Sequence, residues 1–225
     1  MRAMKLLFSR YIRHRVLLLC SALFFVGMLT AVMLFHADPG SPDSEQGDYL
    51  MCKMCGLFPA MFGVAVPSVF LAQETQGSRF LRAVPFAEQI YRTGIPLLCA
   101  GVTFFWTAVT DIVYSAFILI SGRDIANITD MLALSAVVGF VFTIASCCGL
   151  TIRHGGYVFI LYYLPFVLIM SMGRRNDFLG LPLWGALLIF IGGSAAGLAA
   201  CLAIARLAYA KGNFHEITTT QGKFV

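Results

Sequence analysis

The stretch Ile95-Pro-Leu-Leu-Cys-Ala-Gly-Val-Thr-Phe-Phe-Trp-Thr-Ala-Val-Thr-Asp-Ile-Val-Tyr-Ser-Ala-Phe-Ile-Leu-Ile-Ser121 decides the fold. It runs 27 residues with one charge, Asp111. A hydrocarbon core about 30 Å thick takes about 20 consecutive apolar residues as a helix. Backbone in lipid must satisfy its own hydrogen bonds, and a barrel strand would be short and strictly alternating. This stretch predicts a membrane-spanning helix.

The pattern recurs on both sides of it. Spans are predicted over Val16–Phe35, Tyr49–Ala72, Ile95–Ser121, Met131–Thr151, Tyr157–Met172 and Leu181–Ala208. The expected fold class is therefore all-α: a polytopic membrane protein with six transmembrane helices in a single domain. Residues 1–15 form an interfacial helix, 16–208 hold the six spans, and 209–225 form a tail. Six crossings place both termini on one side. Arg2, Lys5, Arg10, Arg13, Arg15, Arg79, Arg82, Arg92, Arg153, Arg206, Lys211 and Lys223 fall on that side, 12 of the 16 Lys and Arg. Loops rich in Lys and Arg stay in the cytoplasm, so both termini are expected there.

Composition agrees. Hydrophobic residues make up 59% of the chain and charged residues 12%, against about 25% charged in soluble domains. The net charge of +5 reads as a topology signal, and no nucleic-acid partner is expected. The first apolar run is too long for a signal-peptide core and lacks a small-residue cleavage site. Cys20, Cys99, Cys147, Cys148 and Cys201 fall within spans, where cysteine acts as a small hydrophobe. Cys52 and Cys55 are spaced as Cys-Lys-Met-Cys. They read either as a redox or metal pair or as two small helix residues a turn apart. A metal site needs more ligands than these two, and none is expected.

Two segments face the cytoplasm with amphipathic patterns. Met4, Leu7, Phe8, Tyr11 and Ile12 repeat at the spacing of one helix face, with Arg2, Arg10 and Arg13 off it. This predicts a basic helix lying along the membrane surface, with membrane lipid as its partner. The second segment is the polar loop from Gln73 to Thr93. Phe80, Leu81 and Val84 sit there at helical spacing, flanked by Arg79 and Arg82, and Pro85 ends the run. A short helix at the membrane edge would offer that stripe to a partner's groove.

That loop also carries Glu74, Gly77, Leu81 and Pro85 as Glu-x-x-Gly-x-x-x-Leu-x-x-x-Pro. With a basic amphipathic N-terminus, two spans before it and four after, the chain resembles the six-span permease subunits of type-2 ATP-binding-cassette transporters, mostly exporters. The resemblance covers nearly the whole chain in layout and about a dozen residues in motif. It implies that Glu74, Gly77, Arg79, Phe80, Leu81, Arg82, Val84 and Pro85 form a coupling helix. A separate cytoplasmic ATPase subunit would dock there, with ATP and Mg bound on that partner. A second permease subunit, the same or different, would complete a dimer in a bacterial plasma membrane. Phe86-Ala87 departs from the small aliphatic and serine that the family often has after the proline, which puts the partner's identity in question. The chain has no Gly-x-x-x-x-Gly-Lys-Ser/Thr loop of its own, so no ATPase site and no cofactor are expected in it.

Inside the spans, Asp111 is the one deep acid, with Thr107 and Thr110 beside it. A charge at the bilayer centre costs at least about 2.5–3.5 kcal/mol. Two roles follow: part of a translocation path, or an interhelix hydrogen bond to a Ser or Thr of a neighbouring span. Gly193 and Gly197, in a small-xxx-small pattern, are expected to pack helices closely, within the subunit or across a dimer. Pro59, Pro67 and Pro165 predict kinks. An intramembrane enzyme is disfavoured. His14, His36, His154 and His215 all fall at span edges or tails, no His-Glu-x-x-His occurs, and no catalytic residue is assigned. The leading expectation is an exporter subunit for an amphipathic or peptide-like substrate. The alternative is a non-transporting membrane module, such as an immunity or sensor protein, with a cytoplasmic partner.

Overall fold

The computed structural model describes residues 2–13, 15–35, 60–77, 85–120, 125–152, 160–171 and 181–210. The described residues are all-helical, without strands. Helix α1 is Arg2–Arg13 and α2 is Arg15–Phe35. Helix α3 covers residues 61–77 and α4 is Ala87–Ile120. Then come α5, Ala126–Thr151, α6, Tyr163–Ser171, and α7, Leu183–Ala210.

Among the described residues three helices, α4, α5 and α7, are long and apolar enough to cross a membrane. The expected count was six. Helix α2 is apolar over 21 residues. Of the predicted second and fifth spans, only α3 and the nine-residue α6 are described, and each alone is short of a crossing. The predicted edges also moved. The third span begins at Ala87 instead of Ile95, and the fourth at Ala126 instead of Met131.

The first shift arises because Arg92 and Thr93, polar residues assigned to the loop, are helical. Pro96 follows, and a proline inside a helix removes one hydrogen bond and crowds the carbonyl it should meet. The helix widens instead of ending. The Ile95 N–H bonds back to the Ile90 carbonyl, five residues earlier, giving a π-helical turn over Ile90–Gly94. Helix α3 solves the same problem in the same way. The Val66 N–H reaches the Met61 carbonyl across Met61–Ala65, and Pro67 follows two residues after that turn. Both turns contain a glycine and both precede a proline by two residues, so the predicted kink at Pro67 takes the form of a π-helical turn.

Helix α5 is central: 78% of its apolar stretch is buried, against 17% in α7. Gly193 of α7 packs on Ala136, and Gly197 packs on Phe140 and Thr143. The Cys201 thiol lies 3.3 Å from the Thr143 carbonyl. Residue numbers climb together along this seam, so α5 and α7 run parallel. At Gly193 an added Cβ would stand 3.3 Å from the Ala136 carbonyl oxygen. The glycines thus bring two backbones together within the chain, as small residues do in membrane bundles.

Two apolar clusters fill the interior. One joins Trp106, Tyr114 and Phe117 of α4 with Leu134, Val138 and Phe142 of α5 and Phe190 of α7. The other gathers Leu7 of α1, Leu71 of α3, Ile90, Tyr91 and Ile95 of α4, Leu150 of α5 and Ala205 of α7. This second cluster marks one end of the bundle, the end that carries Arg92 and Arg206.

Candidate functional site

Helix α4 is 34 residues long, about 51 Å at 1.5 Å per residue, well beyond a hydrocarbon core of about 30 Å. Its excess lies at the Arg92 end. The Arg92 guanidinium sits 5.8 Å from the centroid of the Tyr209 ring, and Tyr209 is one residue from the end of α7. The turn of α4 around Arg92 therefore lies beside the last turns of α7. Arg92 also pairs with Glu88 one turn earlier.

Helix α3 runs through Gly77, so α3 and α4 form a hairpin whose link is residues 78–86. Within the predicted Gln73–Thr93 loop, residues 73–77 and 87–93 are helical. Glu74 and Gly77 occupy the last turn of α3, and Pro85 lies exposed in a turn with Phe86 just before α4. Arg79, Phe80, Leu81, Arg82 and Val84 lie outside the described residues. The second apolar cluster contains Leu71 and Ala72 from one arm and Ile90, Tyr91 and Ile95 from the other, so the hairpin is anchored at its base.

Helix α1 is built into that base. The predicted stripe divides between two environments: Leu7 is fully buried and Tyr11 is 8% exposed, while Phe8 and Ile12 face outward. The stripe is thus shared between protein and exterior instead of resting wholly on a membrane surface. Tyr11 reaches furthest. Its hydroxyl donates to the Gly63 carbonyl at 2.7 Å and accepts from the Trp106 indole N–H at 2.8 Å. The α-helical partner of the Gly63 carbonyl would be the N–H of residue 67, which is proline. Trp106 lies against Gly63 so closely that an added Cβ would fall 2.3 Å from its Cε2. Burial pushes the Tyr11 phenol up to about 12, with a smaller opposing pull from the Trp106 hydrogen bond. It remains a donor at any physiological pH. No sequence pattern marked this triad, although counting back four from Pro67 points to Gly63.

Asp111 and its neighbours sit on the face of α4 turned to α5. Asp111 is 5% exposed, and Thr103, Thr107 and Thr110 are buried with it. Ser135 of α5 donates to Asp111 Oδ1 at 2.6 Å, the interhelix bond that was one of the two expected roles. The Thr107 hydroxyl turns back to the Thr103 carbonyl at 2.9 Å. Thr103 Oγ1, Thr110 Oγ1 and Asp111 Oδ2 are buried without a hydrogen-bond partner. Sequence reasoning missed Ser135 and also Asp130, a second buried acid, placed in a loop by the late predicted start of the fourth span.

A separate polar knot ties three segments. The Ser68 hydroxyl of α3 lies 3.3 Å from Ser146 of α5, which is bonded to Tyr162 just ahead of α6. Cys99, Cys147, Cys148 and Cys201 are buried free thiols, whereas Cys20 is exposed. Cys52 and Cys55 lie outside the described residues. Among the described residues no group of three His, Cys, Asp or Glu is placed to hold a metal ion. No family model, curated protein or solved structure matches the chain.

Proposed function

We propose that the chain is the membrane permease subunit of an ATP-binding-cassette exporter, carrying six spans, with the tip of the α3–α4 hairpin as its docking point for a separate ATPase. One observation carries the reading. Helices α3 and α4 are joined by residues 78–86 at the Arg92 end of the bundle, and the Glu74, Gly77, Leu81 and Pro85 pattern runs from the last turn of α3 through that connection. A helical hairpin anchored in the bundle is suited to pass a partner's motion into it, because packed helices move as bodies. The wide turns before Pro67 and Pro96 lie along its two arms, where such motion would bend them.

The parallel run of α5 and α7 supports the span count. The chain must return the length of the bundle between them, and α6 lies on that path. On this reading the Arg92 end faces the cytoplasm of a bacterial plasma membrane, both termini lie there, and α1 sits at the interface. ATP and Mg bind the partner ATPase, and a second permease subunit closes the translocation path past Thr107, Thr110 and Asp111. An amphipathic or peptide-like substrate fits walls this poor in charge. A docked partner of another kind, as in an immunity or sensor module, would use the same hairpin.

The test is purification of the full tagged chain from native membranes in mild detergent, with mass spectrometry of what accompanies it. An ATPase near one-to-one supports the proposal. A kinase in its place, or no partner under conditions that preserve known complexes, overturns it.

A further inference from the structure

Helix α1 has an inward arc and an outward one, and the outward arc splits by chemistry. Successive residues turn about 100° round a helix axis. Leu7 and Tyr11 point into the bundle, and Leu6 packs with them against the second apolar cluster. Phe8 and Ile12, 51% and 43% exposed, take the part of the outward arc next to Tyr11. Lys5, Ser9 and Arg13, all exposed, take the part opposite Leu7 and Tyr11. Arg15 follows, also exposed, at the first position of α2, whose 21 residues carry no other charge. Other cations at this end are engaged. Arg92 is held by Glu88 and the Tyr209 ring, and Arg10 is half-buried with contacts of its own.

An acidic protein surface would match Lys5 and Arg13 but leave Phe8 and Ile12 bare. Acyl chains under neutral headgroups would do the reverse. We infer that the outward arc of α1, with Arg15, docks on anionic phospholipid of the leaflet at the Arg92 end. Lys5, Arg13 and Arg15 meet the headgroup phosphates, and Phe8 and Ile12 enter the acyl region. Because the bundle withdraws Leu7 and Tyr11 from the stripe, two exposed apolar side chains remain for the acyl region, and headgroup charge carries much of the attachment. This assigns a headgroup class to the interfacial placement of α1 under the permease reading and rests on that placement. The ATPase has no part in it.

The experiment is fluorescence quenching at position 8 of the full chain in phosphatidylcholine bilayers. Phe8→Trp is introduced in a Trp184→Phe background, and that background without Phe8→Trp subtracts the signal of buried Trp106. Phosphatidylglycerol brominated on its acyl chains is compared with phosphatidylcholine brominated in the same way. The anionic lipid should be preferred at least about fivefold, the factor that one cation supplies at an anionic surface. Lys5→Gln, Arg13→Gln and Arg15→Gln together should abolish the preference while quenching by phosphatidylcholine persists. Unchanged Trp106 emission identifies a folded variant. Should the triple variant fail to fold, molar salt serves as the second probe and should reduce the preference by screening.

Equal quenching by the two lipids, quenching by neither, or a preference that survives both the triple change and molar salt overturns the inference. A photo-reactive amino acid at position 12 should label lipid in native membranes. A protein adduct there would make the arc a protein interface and overturn the inference too. If the lipid preference holds but no ATPase accompanies the chain from native membranes, the lipid surface stands and the transporter reading falls. An ATPase without the lipid preference is the reverse.

Discussion

Tyr11 supplies Gly63 with the hydrogen bond that Pro67 withholds. The phenol of α1 donates to the Gly63 carbonyl at 2.7 Å, in a turn of α3 widened ahead of the proline. It also receives the Trp106 N–H from α4. One hydroxyl therefore ties the N-terminal helix to both arms of the hairpin, beside a turn that would flex if the arms moved.

Removing that hydroxyl strands two buried groups. Tyr11→Phe leaves the Gly63 carbonyl and the Trp106 N–H unpaired, each costing about 1–3 kcal/mol. The midpoint of thermal unfolding in detergent should fall. Trp106 emission should shift as well, read in a Trp184→Phe background that leaves one tryptophan.

Pro67→Ala returns an N–H within reach of the Gly63 carbonyl. It should lower the dependence on Tyr11, so that Tyr11→Phe costs less in the Pro67→Ala background than in the wild type. A double-mutant cycle on unfolding midpoints measures this, and additive effects would show that the two groups do not share the carbonyl.

Gly63→Ala places a methyl 2.3 Å from Trp106 Cε2 and should destabilise by about 1–3 kcal/mol through overpacking. Trp106→Leu vacates that space. The double variant should recover part of the loss, a result that a purely local backbone effect of alanine would not give.

The Tyr11 phenol has a defined pH signature. Its folded value, about 12, is raised above the ordinary 10.0 by burial, so its contribution is fully present below pH 10 and is lost as pH rises through the folded value. The difference in phenolate absorbance between wild type and Tyr11→Phe should appear near pH 12. Unfolding stability should begin to decline above pH 10. A difference spectrum centred at 10 would mean that Tyr11 is not enclosed.

Ser135→Ala should destabilise the α4–α5 contact by about 1–3 kcal/mol, because it leaves Asp111 with no protein donor on either oxygen. Asp111→Asn should soften that loss by replacing the acid with a neutral amide. Unfolding midpoints of the two single variants and the double check the order.

What the sequence revealed follows from what each signal reports. Hydropathy located α4, α5 and α7 because soluble folds seldom carry apolar runs of span length. Their starts were misplaced where polar residues belong to the helix. Arg92 and Thr93 read as loop but are helical, beside the last turns of α7, and Asp130 is helical near the start of α5. Pro67 was read as a kink, and there the chain widens by one residue and continues, as it does ahead of Pro96, which carried no reading. Periodicity found the face of α1 but could not divide it between protein and exterior, since Leu7 and Phe8 are equally apolar. Asp111 stood out as a lone acid, while Ser135 and Tyr11 act through partners distant in sequence that no local pattern names.

The central claim is that the hairpin tip contacts an ATPase, and a photo-reactive amino acid at position 81 tests it directly. Crosslinking in native membranes, followed by mass spectrometry of the adduct, should place the label on an ATP-hydrolysing subunit, and Arg82→Asp should reduce the yield. Adducts found only with lipid or with a protein lacking a nucleotide site would contradict the account.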